Sequence, residues 1–202
     1  MKIYEMKIAP NPRRVRIFLA EKNIPMEFVE LDVQKGENLT EAFRAKNPLM
    51  KVPVLELDNG KTICESVAIC RYFEETNPER PLFGRDAEEK AIIEMWQRWV
   101  EFYFLMPTGM CFQHSSGYFK DRMNPIEEWG RECRSHAEKF FDILDNQLAN
   151  NRFVAGEEFS IADITALCTV DFNRVNRLSI KPEQVHLLRW YKEVSSRPSA
   201  KA

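Results

Sequence analysis

The chain has 202 residues, enough for one large domain or two small ones with cores of their own, and a net charge of −2. That charge gives no electrostatic case for nucleic acid. No apolar run approaches a membrane span, and the start lacks the basic-then-apolar layout of a signal peptide. The five cysteines are scattered, with no Cys-x-x-Cys pair. Neither a disulfide framework nor a metal site is therefore expected, and reduced thiols in a cytoplasmic protein are.

In chain order, Lys2–Met6 is a short strand candidate, and Asn11 followed by Pro12 suits an N-cap and first helical residue. The helix after them places Val15, Phe18, Leu19 and Lys22 on one face and turns Arg13 and Arg16 outward. Met26–Val33 reads as a second strand and Leu39–Ala45 as a short helix. Next come a β-type run, Lys51-Val52-Pro53-Val54-Leu55, a turn signal, Asp58-Asn59-Gly60, and a second short strand. An acid and a hydroxyl, Glu65 and Ser66, then open an apolar-periodic helix that reaches about Glu75. This order predicts a small mixed sheet covered by helices.

Asn77-Pro78-Glu79-Arg80-Pro81 breaks the pattern and reads as a linker, separating a domain over residues 1–77 from an all-helical one over 86–202. Ala87–Met106 carries a wide apolar arc (Ile92, Ile93, Trp96, Trp99, Val100, Tyr103, Phe104), which suggests burial on two sides, against its own bundle and another subunit. Pro107 and Gly109 should kink or interrupt it. Ile126–Leu148 reads as a further helix, and another begins at Ser160-Ile161-Ala162-Asp163, a serine N-cap with an acid three residues on. Phe159 and Ile164 are spaced as a hydrophobic staple around that cap. A last helix from about Glu183 to Ser195 stops before Pro198.

Proline at position 53 cannot donate to a sheet ladder, so it belongs at a strand's entry or edge. The backbone beside it is then free to pair with something else, and a free edge next to a helix N-terminus suits an extended, peptide-like ligand bearing a carboxylate.

Three segments at these separations resemble the glutathione S-transferase superfamily, in its cytosolic, bacterial theta/Nu-like form. They are Asn47-Pro48-Leu49-Met50-Lys51-Val52-Pro53-Val54-Leu55, Glu65-Ser66-Val67-Ala68-Ile69 and Ser160-Ile161-Ala162-Asp163. The resemblance spans essentially the whole chain. It implies an α/β thioredoxin-like N-terminal domain, an all-α helical-bundle C-terminal domain, a homodimer and a cis Val52–Pro53 bond. Glutathione is the implied co-substrate, with no metal, and the implied second substrate is a small apolar electrophile or a peroxide or disulfide.

On that reading Ser66 offers its hydroxyl and helix N–H groups to the γ-glutamyl carboxylate, and Glu65 supplies the counter-charge for the ammonium. Val52 pairs its backbone with the cysteinyl unit beside Pro53. Lys51 meets the glycyl carboxylate, or is a solvated lysine at a strand start. Asn38 matches a position used to the same end, or belongs only to its polar loop. Tyr103, Met106 and Met110, with Cys111 and Phe112, are candidates for a second-substrate surface.

A free thiol has a pKa of about 8.5, and lowering it by two units takes about 2.7 kcal/mol of selective stabilisation of the anion. Relatives place a Ser, Cys or Tyr near the start of the first helix for this. Here the usual serine position is Ala9, and Asn11 is the only local side chain able to donate. Nu-type disulfide-bond reductases have a similar Pro-Asn arrangement, with the asparagine against the sulfur. Asn11 is thus read as thiol donor, as helix cap, or as both, and Tyr4 as a weaker donor. Low turnover of the common chloronitrobenzene substrate is the consequence. Cys64, beside Glu65, reads as a buried strand thiol, and His114 with Ser115 and Ser116 lacks an orienting third group. A non-catalytic interaction module and a ligand carrier are the competing functions.

Overall fold

The computed structural model describes residues 1–202 and divides into two compact units, Met1–Pro81 with Pro198–Ala202, and Leu82–Arg197. The first unit is built on four short strands, β1 (Lys2–Glu5), β2 (Glu27–Glu30), β3 (Val54–Glu56) and β4 (Thr62–Cys64), in the order β2-β1-β3-β4. β1 runs parallel to β2 and antiparallel to β3, which is antiparallel to β4. Helices α1 (Pro10–Glu21) and α3 (Ser66–Thr76) pack together, and a short α2 covers Glu41–Arg44 after a 3-10 turn at Glu37–Leu39. Ile3, Val15, Phe18, Val54, Leu55, Ile69 and Phe73 form the core. The expected mixed sheet with helices is therefore present. The hairpin turns where Gly60 takes a φ of +81°, a conformation that only glycine adopts at no cost. There Leu57 N–H donates to Lys61 C=O and Gly60 N–H to Leu57 C=O, both at 2.9 Å.

Several boundaries differ from the sequence reading. Strand pairing ends at Glu5 and covers only Glu27–Glu30 of the Met26–Val33 run, with Leu31 N–H making the last bond to β1, to Glu5 C=O at 2.7 Å. Helix α1 starts at Pro10, so Ala9 is its N-cap and Asn11 lies inside its first turn. Arg16 does not turn outward. It donates to Glu5, a carboxylate that burial pushes above its ordinary pKa, and stacks over the Phe28 ring at 4.4 Å. Lys22 is on the predicted face, its ammonium buried and satisfied by Glu74 Oε2 (2.6 Å), Asn77 C=O (2.6 Å) and Glu79 C=O (3.1 Å). The last residues return to this unit, where Arg13 donates to Ala200 C=O at 3.1 Å and Ser199 to Glu21.

The second unit is wholly helical: α4 (Ala87–Val100), α5 (Met106–Ser115), α6 (Glu127–Leu148), α7 (Ile161–Phe172) and α8 (Val185–Ser195). Every side chain from Ile161 to Val170 is buried, so α7 is the central helix. Its start carries the predicted capping box, with Asp163 Oδ2 accepting from Ser160 N–H at 3.0 Å. Between α4 and α5 the chain forms one π-type turn, Glu101–Leu105. Pro107 has no N–H to give to the fourth residue back and its ring crowds that carbonyl, so the widened turn just before it absorbs the break. Gly109 lies inside α5 and interrupts nothing. No helix is long and apolar enough to cross a membrane.

Candidate functional site

Several chain segments leave the sheet of the first unit at one end. The last β3–β4 pair is Val54 with Cys64, so the residues just before the one strand, Val52-Pro53, and just after the other, Glu65-Ser66, leave the sheet at the same end. Val54 also pairs with Tyr4, so β1 runs toward the start of α1 from the same end. The Val52–Pro53 peptide is cis, and Pro53 is buried immediately before the strand. The Val52 N–H and C=O make no hydrogen bond within the chain. Lys51 is exposed, its ammonium unpaired, and its carbonyl accepts from Asn47 Nδ2 at 2.8 Å.

Glu65 has φ 67° and ψ 119°, a conformation that costs a non-glycine residue on the order of 1–3 kcal/mol. Its carbonyl takes the first helical bond of α3, from Ile69 N–H at 2.9 Å, while its carboxylate is exposed and unpaired. The N–H groups of Ser66, Val67 and Ala68 precede that bond and point out of the helix end with no acid in the first turn. Ser66 is buried, and its hydroxyl has no partner within the chain. Residues 51, 52, 65 and 66 therefore leave a cation, an anion, free backbone groups, a hydroxyl and a positive helix end unspent at one end of the sheet.

Asn38 is also buried, but its amide Nδ2 is committed to the Met50 carbonyl at 2.8 Å, and its Oδ1 is a buried acceptor with no partner. An acceptor gives nothing to a carboxylate. Asn38 thus acts on the loop before Lys51, clamping Met50 where its φ is 52°.

At the start of α1, Pro10 and Pro12 have no N–H, and Arg13 N–H bonds Ala9 C=O at 3.2 Å. The Asn11 N–H is the one free backbone donor of that turn. The Asn11 side chain is exposed, and its Oδ1 accepts from Arg14 Nη2 at 2.7 Å. It is not the helix cap, which is Ala9 without any side-chain bond. Arg14, 1% exposed, is the residue that sequence reasoning missed. Its position one turn before the buried Phe18 was the available signal.

Known proteins place the chain in a family. Residues 3–81 match the family model for the glutathione S-transferase N-terminal domain, and residues 111–198 the one for the C-terminal domain. Glutathione S-transferase 2 of Saccharomyces cerevisiae is 37% identical over all of this chain and 88% of its own length. The chain belongs to the glutathione S-transferase superfamily. Among solved structures, yeast Gtt2 superposes with a TM-score of 0.94 at 36% identity, covering 100% of this chain and 99% of that one. A glutathione S-transferase domain-containing protein of Marinobacter aquaeolei VT8 gives 0.95 at 37% identity, covering 98% and 99%. This glutathione S-transferase is thus a transferase by family, with the thioredoxin-like α/β unit and helical unit of that fold.

The remaining candidates of the transferase fall into place locally. Tyr4 donates to Glu56 Oε2 at 3.0 Å, so its hydroxyl is occupied. Burial pushes the Cys64 thiol above its ordinary pKa, and its Sγ lies 3.7 Å from the Lys46 carbonyl. Tyr103 and Met106 are exposed and Met110 half-buried, on one face of the π turn and α5. Cys111 is buried and Phe112 half-buried in an aromatic cluster with Tyr118, Phe119 and Phe172. His114 Nδ1 accepts from Ile126 N–H at 2.9 Å and Ser116 Oγ from Tyr118 N–H at 3.1 Å, structural bonds in both cases.

Proposed function

We propose that this transferase binds reduced glutathione at the 51–66 edge and either transfers it to a small apolar electrophile or uses it to reduce a peroxide or disulfide. One observation carries the reading: the unspent groups at residues 51, 52, 65 and 66 complement the parts of an extended γ-glutamyl tripeptide. Ser66 and the α3 N–H groups take the γ-glutamyl carboxylate, and Glu65 the ammonium beside it. Val52, next to cis-Pro53, pairs its N–H and C=O with the cysteinyl unit as an added strand would. Lys51 takes the glycyl carboxylate, and Asn38 supports it by holding Met50.

The sulfur is assigned to Asn11. A neutral amide N–H₂ and one backbone N–H stabilise a thiolate by only about 1–2 kcal/mol together, so the thiol is less activated than by a hydroxyl donor. Exchange with a disulfide or attack on a peroxide depends on position as much as on a low pKa, which favours the reductive branch. The exposed face of Tyr103, Met106 and Met110 is assigned to the second substrate, and detoxification is the role that follows.

The predicted homodimer uses the other side of α4. Ile93, Trp96, Val100 and Phe104 fill the core of the helical unit, while Ile92, Met95, Trp99 and Phe102 stay exposed as a stripe that a second copy would cover.

Steady-state assays with glutathione test the reading. Turnover of an organic hydroperoxide or a small disulfide should exceed turnover of a chloronitrobenzene, and Asn11→Ala should lower kcat/KM about 3- to 10-fold. Equal rates for wild type and Asn11→Ala would remove Asn11 from the chemistry. No turnover of any substrate together with no glutathione binding would leave the interaction module instead.

A further inference from the structure

The geometry points to Arg14 as a positioning residue for the thiol, fixing which end of the Asn11 amide faces glutathione. The inference rests on the assignment of the sulfur to Asn11. An asparagine amide can present either its C=O, which repels a thiolate, or its N–H₂, which binds one. Nothing about an exposed asparagine selects between these. Here the selection comes from Arg14, three residues on and on the same side of α1.

A guanidinium has five donors and no acceptor, so it can hold Asn11 only by the Oδ1, which it does at 2.7 Å. Arg14 is among the largest fully buried side chains of the protein, so it cannot swing away. The Asn11 N–H₂ is then the end left for solvent or ligand, and no group in the chain competes for it. Two further effects act in the same direction. A hydrogen bond from a cation to the carbonyl polarises the amide and makes its N–H a better donor. The buried positive charge also favours an anion at the sulfur over a neutral thiol. The two prolines sharpen the dependence by leaving Asn11 as the sole donor of the helix's first turn.

The test is the pKa of the enzyme-bound glutathione thiol, read from its ultraviolet thiolate absorbance against pH, on wild type, Asn11→Ala, Arg14→Met and the double variant. Arg14→Met should cut the bound thiolate fraction at neutral pH by about 3- to 10-fold, with glutathione affinity little changed. In the Asn11→Ala background its effect should shrink to the smaller, through-space share of the guanidinium charge. Asn11→Asp should raise the thiol pKa more than Asn11→Ala does, because a carboxylate held by Arg14 presents only acceptors, and this variant decides the matter if Arg14→Met is too unstable. Arg14→Lys, which keeps a donor and the charge, should recover part of the loss. An unchanged pKa in folded Arg14→Met, an equal effect of it in the Asn11→Ala background, or matching pKa values for Asn11→Asp and Asn11→Ala would each overturn the inference. A pKa that Asn11→Ala leaves unmoved would instead overturn the assignment of the sulfur to Asn11.

Discussion

Asp163 divides its two buried oxygens among four donors: Val154 N–H (2.9 Å), Trp190 Nε1 (2.8 Å), Ser160 N–H (3.0 Å) and Ser160 Oγ (3.1 Å). One side chain thus starts α7, holds the loop before it and ties in the fully buried Trp190. Asp163→Ala leaves those donors unpaired in the core and should cost about 3–5 kcal/mol in denaturant unfolding. Burial outweighs the donors and pushes the Asp163 pKa from 3.8 up to about 6. The folded state therefore binds the proton more tightly than the unfolded one. The proton-linked part of its contribution is complete below about pH 4 and lost as pH rises through about 6. Asp163→Asn should remove that part of the pH dependence, as urea midpoints across the window will read. The capping box was legible in the sequence because it is local, four residues long. Arg14 and Lys22 were harder to read, because the sequence shows a charge on an apolar face but not the partner that makes it tolerable.

Helix α6 meets α5 at Gly130, where an added Cβ would lie 2.4 Å from Ser115 Oγ and 3.2 Å from His114 Cβ. The Ser115 hydroxyl can rotate but His114 cannot retreat far, so Gly130→Ala should lose about 1 kcal/mol despite alanine's better helix propensity. Gly130→Leu should prevent the two helices from packing, a difference that thermal unfolding will register. Gly84 is stricter. Its φ is +92°, and a Cβ there would come within 2.7 Å of Lys90 N, a backbone atom that cannot move alone, so Gly84→Ala should cost more than about 2 kcal/mol. Neither glycine stood out in the sequence, since close approach between helices leaves no local mark. Element type and order were readable from periodicity and turn chemistry. The strand ends were not, because a strand stops where its neighbour stops. The start of α1 was misplaced for another reason: proline at Pro10 and at Pro12 suits a first turn equally well, and the Asn11-Pro12 pair imitates a cap.

At the scale of the molecule, the two units and their family were written in three short segments, and two of these, around Pro53 and Ser66, also carry the proposed site. Their proximity was the part that needed three dimensions, because β3–β4 pairing, which ends at Val54 with Cys64, brings both segments to one end of the sheet. The exposed stripe of Ile92, Met95, Trp99 and Phe102 sets a test of assembly. Sedimentation should give twice the chain mass for wild type and the single mass for Trp99→Glu with Phe102→Glu, since a charge in an apolar interface costs several kcal/mol. Calorimetric titration of wild type and Ser66→Ala with reduced glutathione tests the glutathione site itself. Saturable binding to wild type is expected, with an affinity at least about tenfold weaker in Ser66→Ala, the loss of one charge-assisted hydrogen bond and its buried partner. Absence of binding to the folded wild type, or equal affinity in both, would contradict it.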